Sequence, residues 1–126
     1  MARFAHDTPI YRTEEIRQIE SISAAHSDPP PLMERAGLAA AELARELAGS
    51  DKRVVVIAGP GNNGGDALVV ARHLKGWWFN VDVLFTGKAA KLAHDAAAAY
   101  AAWLGVGGSF VTDLPRARDC ALIVDG

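Results

Sequence analysis

Cysteine is almost missing from this sequence: Cys120 stands alone among 126 residues, so no internal disulfide can form and no thiolate cluster can hold a metal. A single thiol beside an apolar run reads as a small core residue, and the cysteine usage suits a reducing compartment. An excess of charge is missing too. Thirteen basic against 15 acidic residues give a formal charge of -2, and no segment gathers Lys and Arg, which disfavours nucleic acid as a partner. Long hydrophobic runs are also lacking: the strongest, Val54-Val55-Val56-Ile57-Ala58, is far too short to cross a bilayer, and residues 1–7 have no apolar core of the signal-peptide kind. A soluble, cytoplasmic protein is expected. His6, His26, His73 and His94 never fall at metal-ligand spacing, so surface or capping roles are expected of them. No internal repeat and no low-complexity linker occurs. The length, half of it apolar, suits one domain with a real core and excludes two.

Thr13 precedes Glu14 and Glu15, an N-cap with acids in the first turn, and Ile16, Ile19 and Ile22 recur on one face, predicting a helix. Pro29-Pro30-Pro31 cannot continue it. A second helix comes next with Leu32, Met33, Ala36, Ala40, Leu43, Ala44 and Leu47 inward, ended by Gly49-Ser50, so two helices are expected before any strand. Val54-Val55-Val56-Ile57 then reads as a strand of a parallel sheet. A glycine turn leads into a helix over 66–75 with Leu68, Ala71 and Leu74 inward, and residues 79–85 alternate as the next strand, which completes a βαβ unit. Residues 91–104 predict a helix carrying Leu92, Tyr100 and Trp103, Phe110-Val111 a short strand, and Ala121-Leu122-Ile123-Val124 another. The sum is an α/β fold, a three-layer αβα Rossmann-like domain with a mostly parallel sheet, preceded by two N-terminal helices and spanning 1–126 as one unit. Because a buried strand ends at Val124 with only Asp125-Gly126 beyond, the expectation is a domain truncated on its C-terminal side. Of the bulky trio Trp77, Trp78 and Phe79, alternate members are expected on the core and one outside in a subunit contact.

Gly59-Pro60-Gly61-Asn62-Asn63-Gly64-Gly65-Asp66 lies where a strand ends and a helix begins, the ligand-binding edge of open α/β sheets. Glycines let the backbone approach a ligand, and the helix start offers amides to an anion, so a phosphorylated ligand fits. The glycines at 59, 61 and 64 match GxGxxG, yet the dinucleotide fingerprint also needs an acid at the end of the second strand, and Asp82 falls in mid-strand; this weakens a dehydrogenase reading. A GxxxxGK[ST] phosphate loop fails, because Gly65 and Asp66 stand where lysine and a hydroxyl belong. A plain turn with Asp66 capping the helix is the blander alternative. Against it, two carboxamides and a carboxylate are hard oxygen ligands suited to a group I or II cation or to sugar hydroxyls. Thr86-Gly87-Lys88 ends a strand beside this turn, where Lys88 is either solvated or within reach of a ligand phosphate.

The string from Val54 through Gly59-Pro60-Gly61-Asn62-Asn63-Gly64-Gly65-Asp66 to His73-Leu74 resembles the N-terminal YjeF domain, the NAD(P)H-hydrate epimerase family. Leu32-Met33-Glu34-Arg35-Ala36-Gly37 is similar to that family's upstream helix motif, and Leu122-Ile123-Val124-Asp125 to the start of its later Asp-containing strand. The family's second glycine-rich loop and later acidic and serine positions have no counterpart here, and Ala67 replaces a glycine common after the aspartate. The resemblance implies an isomerase that interconverts the R and S forms of hydrated NADH and NADPH for nucleotide repair. It implies substrate binding by Asn62, Asn63, Gly64, Gly65 and Asp66, with a potassium ion at Asn63 and Asp125, and it names no catalytic acid or base. A homo-oligomer is expected, as is fusion in some bacteria to an ADP-dependent dehydratase that resembles carbohydrate kinases. The chain alone is expected to lack turnover. A non-catalytic nucleotide-binding or scaffold module of the same fold is the alternative.

Overall fold

The computed structural model describes residues 3–5, 8–12, 32–116 and 119–126. In chain order they form strand β1 (Arg3–Ala5), β2 (Thr8–Arg12), helix α1 (Leu32–Ala48), β3 (Arg53–Ala58), α2 (Asn62–Gly76), β4 (Asn80–Phe85), a 3-10 turn (Ala89–Lys91), α3 (His94–Gly105) and β5 (Leu122–Asp125). The sheet order is β1-β2-β5-β3-β4. Only β1 and β2 pair antiparallel; β2 with β5, β5 with β3 and β3 with β4 are parallel. The α/β class and mostly parallel sheet are therefore as the sequence reads.

The order of elements at the N-terminus corrects the reading. Two strands, not two helices, come first; the helix expected at 13–22 and its proline stop lie outside the described residues. The reason is non-local: β2 finds its partner at the far end of the sequence, with Ile10 in register with Ile123 and Arg12 with Asp125.

Strand β3 lies inside the sheet, paired on both sides by β5 and β4, which is why its β-branched run is nearly uniform. Val54, Val56 and Ala58, with Val83, Leu122 and Val124 from its neighbours, share one buried cluster with inward residues of all three helices. The alternate side chains point the other way, Val55 buried and Ile57, Leu84 and Ile123 half-buried. Among the described residues the helices thus cover one face, and the second helical layer of the expected sandwich is not among them.

Helix α1 buries Met33, Ala36, Ala40 and Ala44 as predicted, while Leu32 is 40% exposed and Leu43 and Leu47 are half-buried. The buried stripe leans to the smaller residues because α1 lies close on α2: a Cβ on Gly37 would come within 2.2 Å of Val69 Cγ1. Gly49, at φ +62°, ends the helix in the left-handed region. Helix α3 starts at His94, so Leu92 lies before it, and Trp103 is buried with its indole N–H donating to the Ser109 carbonyl at 3.1 Å. The strand expected at Phe110-Val111 is a single parallel bridge from Phe110 to Val83. Of the aromatic trio, Phe79 is buried, Trp77 half-buried beneath the Arg45 guanidinium at 4.2 Å, and Trp78 88% exposed. Cys120 is buried, and burial pushes its thiol above the ordinary value. No helix among the described residues is long and apolar enough to cross a membrane.

Candidate functional site at the carboxyl ends of the strands

Parallel strands whose ends align bring their outgoing loops together. Ala58 pairs with Phe85 and Ile57 with Asp125, so the chain leaves β3, β4 and β5 at one level of the sheet. Backbone bonds fasten the three exits: Gly126 N–H donates to the Ile57 carbonyl at 2.9 Å, Gly59 N–H to the Gly126 carbonyl at 2.8 Å, and Thr86 N–H to the Ala58 carbonyl at 2.9 Å. The Thr86 hydroxyl reaches the same carbonyl at 3.4 Å. The 86–88 loop touches the glycine turn, for a Cβ on Gly87 would sit 2.8 Å from Pro60 Cβ.

The glycine turn is shorter than the sequence suggests. Helix α2 begins at Asn62, four residues before the predicted start, with Gly61, which has no side chain to cap it, as its N-cap in extended conformation. Asn62, Asn63 and Gly64 form that turn, where amide groups and the helix dipole favour an anion. The Gly65 amide already donates to the Gly61 carbonyl at 3.2 Å. Asn62 is exposed, Asn63 half-buried, and Gly64 and Gly65 buried.

Both buried glycines are explained by close approach. A Cβ on Gly64 would overlap the Gly59 carbonyl oxygen at 1.8 Å, and one on Gly65 would meet Met33 Cε at 2.6 Å and the Ala96 Cα at 3.2 Å. Gly65 therefore faces α1 and α3. Asp66 is the fifth residue of α2, not the residue before it, and is fully buried. Asp125 closes β5 beside β3, half-buried. The fold thus brings Asn62, Asn63, Gly64 and Asp125 to one edge of the sheet and turns Gly65 and Asp66 inward beneath it. Among the described residues no three of His, Cys, Asp and Glu converge as a metal site; the oxygen donors at this edge are carboxamide, carboxylate and backbone carbonyl.

A second polar cluster, which sequence patterning missed, joins α1 to α2. Glu34 accepts from an Arg72 guanidinium nitrogen and lies 3.0 Å from His73 Nε2. Burial pushes the Glu34 carboxyl up, but the hydrogen bonds and charges of Arg72 and then His73 outweigh it and hold the group below its ordinary value. These residues are 38 and 39 positions apart, so no local spacing signals them. Glu34 and Arg72, with Met33, Val69, His94 and Asp95, also line a groove of about 540 Å³ over the helices.

The sequence model of the YjeF-related protein N-terminus family matches residues 30–126. An NAD(P)H-hydrate epimerase of Bordetella pertussis is 42% identical over 117 residues, which are 93% of this chain and 50% of that protein. A bifunctional NAD(P)H-hydrate repair enzyme of Leishmania major is 41% identical over 118 residues, 88% of this chain and 21% of that protein. The chain spans about half the length of the epimerase relatives it matches. Among solved structures, the crystal structure of yeast ynu0, YNL200c, covers 92% of the chain and 46% of that chain with a TM-score of 0.53 at 23% identity, a likeness of fold.

Proposed function

The chain belongs to the YjeF-related protein N-terminus family, and from that premise we propose that it binds hydrated NADH and NADPH at the carboxyl edge of its sheet and serves their R/S interconversion. The observation that carries this reading is the first turn of α2, which starts on a glycine N-cap and is set among the exits of β3, β4 and β5. A dinucleotide pyrophosphate suits the amides of that turn, and the Asn62 and Asn63 carboxamides suit its sugar hydroxyls. Asp66, buried under the turn, holds the loop and its amides in place; it is a positioning residue. Asn63 and Asp125 lie on neighbouring elements of one edge and supply hard oxygen donors, so a potassium ion fits them; when bound, it would offset phosphate charge. In this reading the chain acts as a homo-oligomer in the cytoplasm, and a dehydratase partner, fused or separate, restores the cofactor.

The test joins this chain to the second half of the Bordetella relative and follows a mixture of R and S NADPH hydrate by proton NMR in potassium buffer, beside the chain alone. Exchange by the chimera, with hydrate binding but little exchange by the chain alone, is the expected outcome. Binding without exchange in the chimera would instead identify a nucleotide-binding module. No binding to either would overturn both readings.

A further inference from the structure

Open α/β sheets read a nucleotide in a common way: the phosphates sit on the helix start, and the ribose 2′ position is judged by whatever stands at the end of the second strand. An acid there selects a free 2′ hydroxyl, and a cation accommodates a 2′ phosphate. Here the second strand is β4, and its last residue, Phe85, pairs with Ala58 immediately before the glycine turn.

Beyond β4 the chain runs Thr86-Gly87-Lys88-Ala89-Ala90-Lys91-Leu92-Ala93, a stretch with two lysines and no carboxylate. Asp82, the last acid before this stretch, is three residues back from Phe85 inside the strand, beside Val55, and the next acid after it is Asp95 in the first turn of α3. Gly87 lies against Pro60, which brings this loop up to the glycine turn. The Lys91 amide donates to the Lys88 carbonyl at 3.0 Å, so one tight turn, with Lys88 extended at its start and Lys91 at its end, carries both ammonium groups. Both lysines are exposed, and among the described residues neither has a carboxylate partner.

We propose that Lys88 and Lys91 form a subsite for the 2′ phosphate and make the hydrate of NADPH the preferred ligand over that of NADH. The inference rests on the proposed function, since it names a preference of the same site. The site without these cations would treat the two hydrates alike. With them, a dianionic phosphate gains charge-assisted hydrogen bonds at a partly solvated position, which corresponds to roughly a tenfold gain in affinity at low salt.

The experiment titrates the 126-residue chain and its Lys88→Ala/Lys91→Ala variant with each hydrate by calorimetry, in potassium buffers of low and high ionic strength. The expected result is roughly tenfold tighter binding of NADPH hydrate by the unaltered chain, a preference that shrinks with salt as exposed charges are screened and that vanishes in the double variant. Circular dichroism of the variant should match the parent, because both side chains are at the surface. Equal affinity of the parent for the two hydrates, or a preference that survives the double substitution, overturns the subsite and leaves the proposed function standing. Failure of both hydrates to bind overturns the proposed function and the subsite together.

Discussion

At Gly64 the fold and the site make the same demand on one residue. Its Cα lies so close to the preceding loop that a methyl group would fall 2.6 Å from the Gly59 carbonyl carbon, and backbone cannot step aside as a side chain can. Gly64→Ala should therefore cost roughly 3 kcal/mol or more in urea unfolding and abolish hydrate binding, whereas Gly61→Ala, with open space around it and only a poorer N-cap to show, should cost about 1 kcal/mol or less. Equal stability of the two variants would contradict the close approach. The same contact explains what was hidden in the sequence. Asn-Asn-Gly-Gly is a poor helix former and reads locally as a turn. It becomes the start of a helix because the absent side chains of Gly64 and Gly65 let α2 settle onto Gly59, Met33 and Ala96. The burial of Asp66 results from that longer helix and could not be read from its neighbours. Asp125, by contrast, was expected through the resemblance to the family's Asp-containing strand, and it closes β5 at the carboxyl edge.

Between elements, the joint of α1 and α2 is held by shape and by charge. Gly37→Ala should destabilise the chain by about 2 kcal/mol, because the new methyl lands on Val69, and Val69→Ala in the same chain should return part of that loss. Additive losses in denaturant would argue that the two residues do not meet. The charge component has a definite sign. Glu34 has its carboxyl depressed in the folded state, so its stabilising effect is fully present above the ordinary value of 4.5 and fades as pH falls through the lower folded value. With its side chain 39% exposed the effect is about 1 kcal/mol or less. Unfolding curves of the parent and Glu34→Gln should diverge at neutral pH and approach each other in acid; parallel curves would remove the link. The α1, β3, α2 and β4 elements were legible because their burial periods are local. The pairing of β2 with β5 was not, since it joins opposite ends of the sequence and no period in either segment announces it.

Taken as a whole, the molecule hangs its candidate site on the β5, β3 and β4 side of a sheet whose order, β1-β2-β5-β3-β4, interleaves early and late segments. An ion held between Asn63 on α2 and Asp125 on β5 would tie two segments that the chain itself joins only at a distance of 62 residues. Replacing N-methylglucamine by potassium at roughly ten times its Kd should then add about 1.4 kcal/mol and raise Tm by roughly 5 °C in calorimetry. Asp125→Asn should lose this increment, and an equal rise in that variant would remove the ion from the pair. The indoles give the molecule a readout of its own. Trp78 is 88% exposed at a left-handed turn, Trp103 is 1% exposed in the core, and Trp77 lies between these extremes under Arg45. Emission from this chain must then be the overlap of a long-wavelength component open to acrylamide and a short-wavelength one shielded from it. A partner settling on the turn after α2 would blue-shift and shield the first while sparing the second, and melting of the core would send the second toward the first, so intrinsic fluorescence alone separates docking from unfolding.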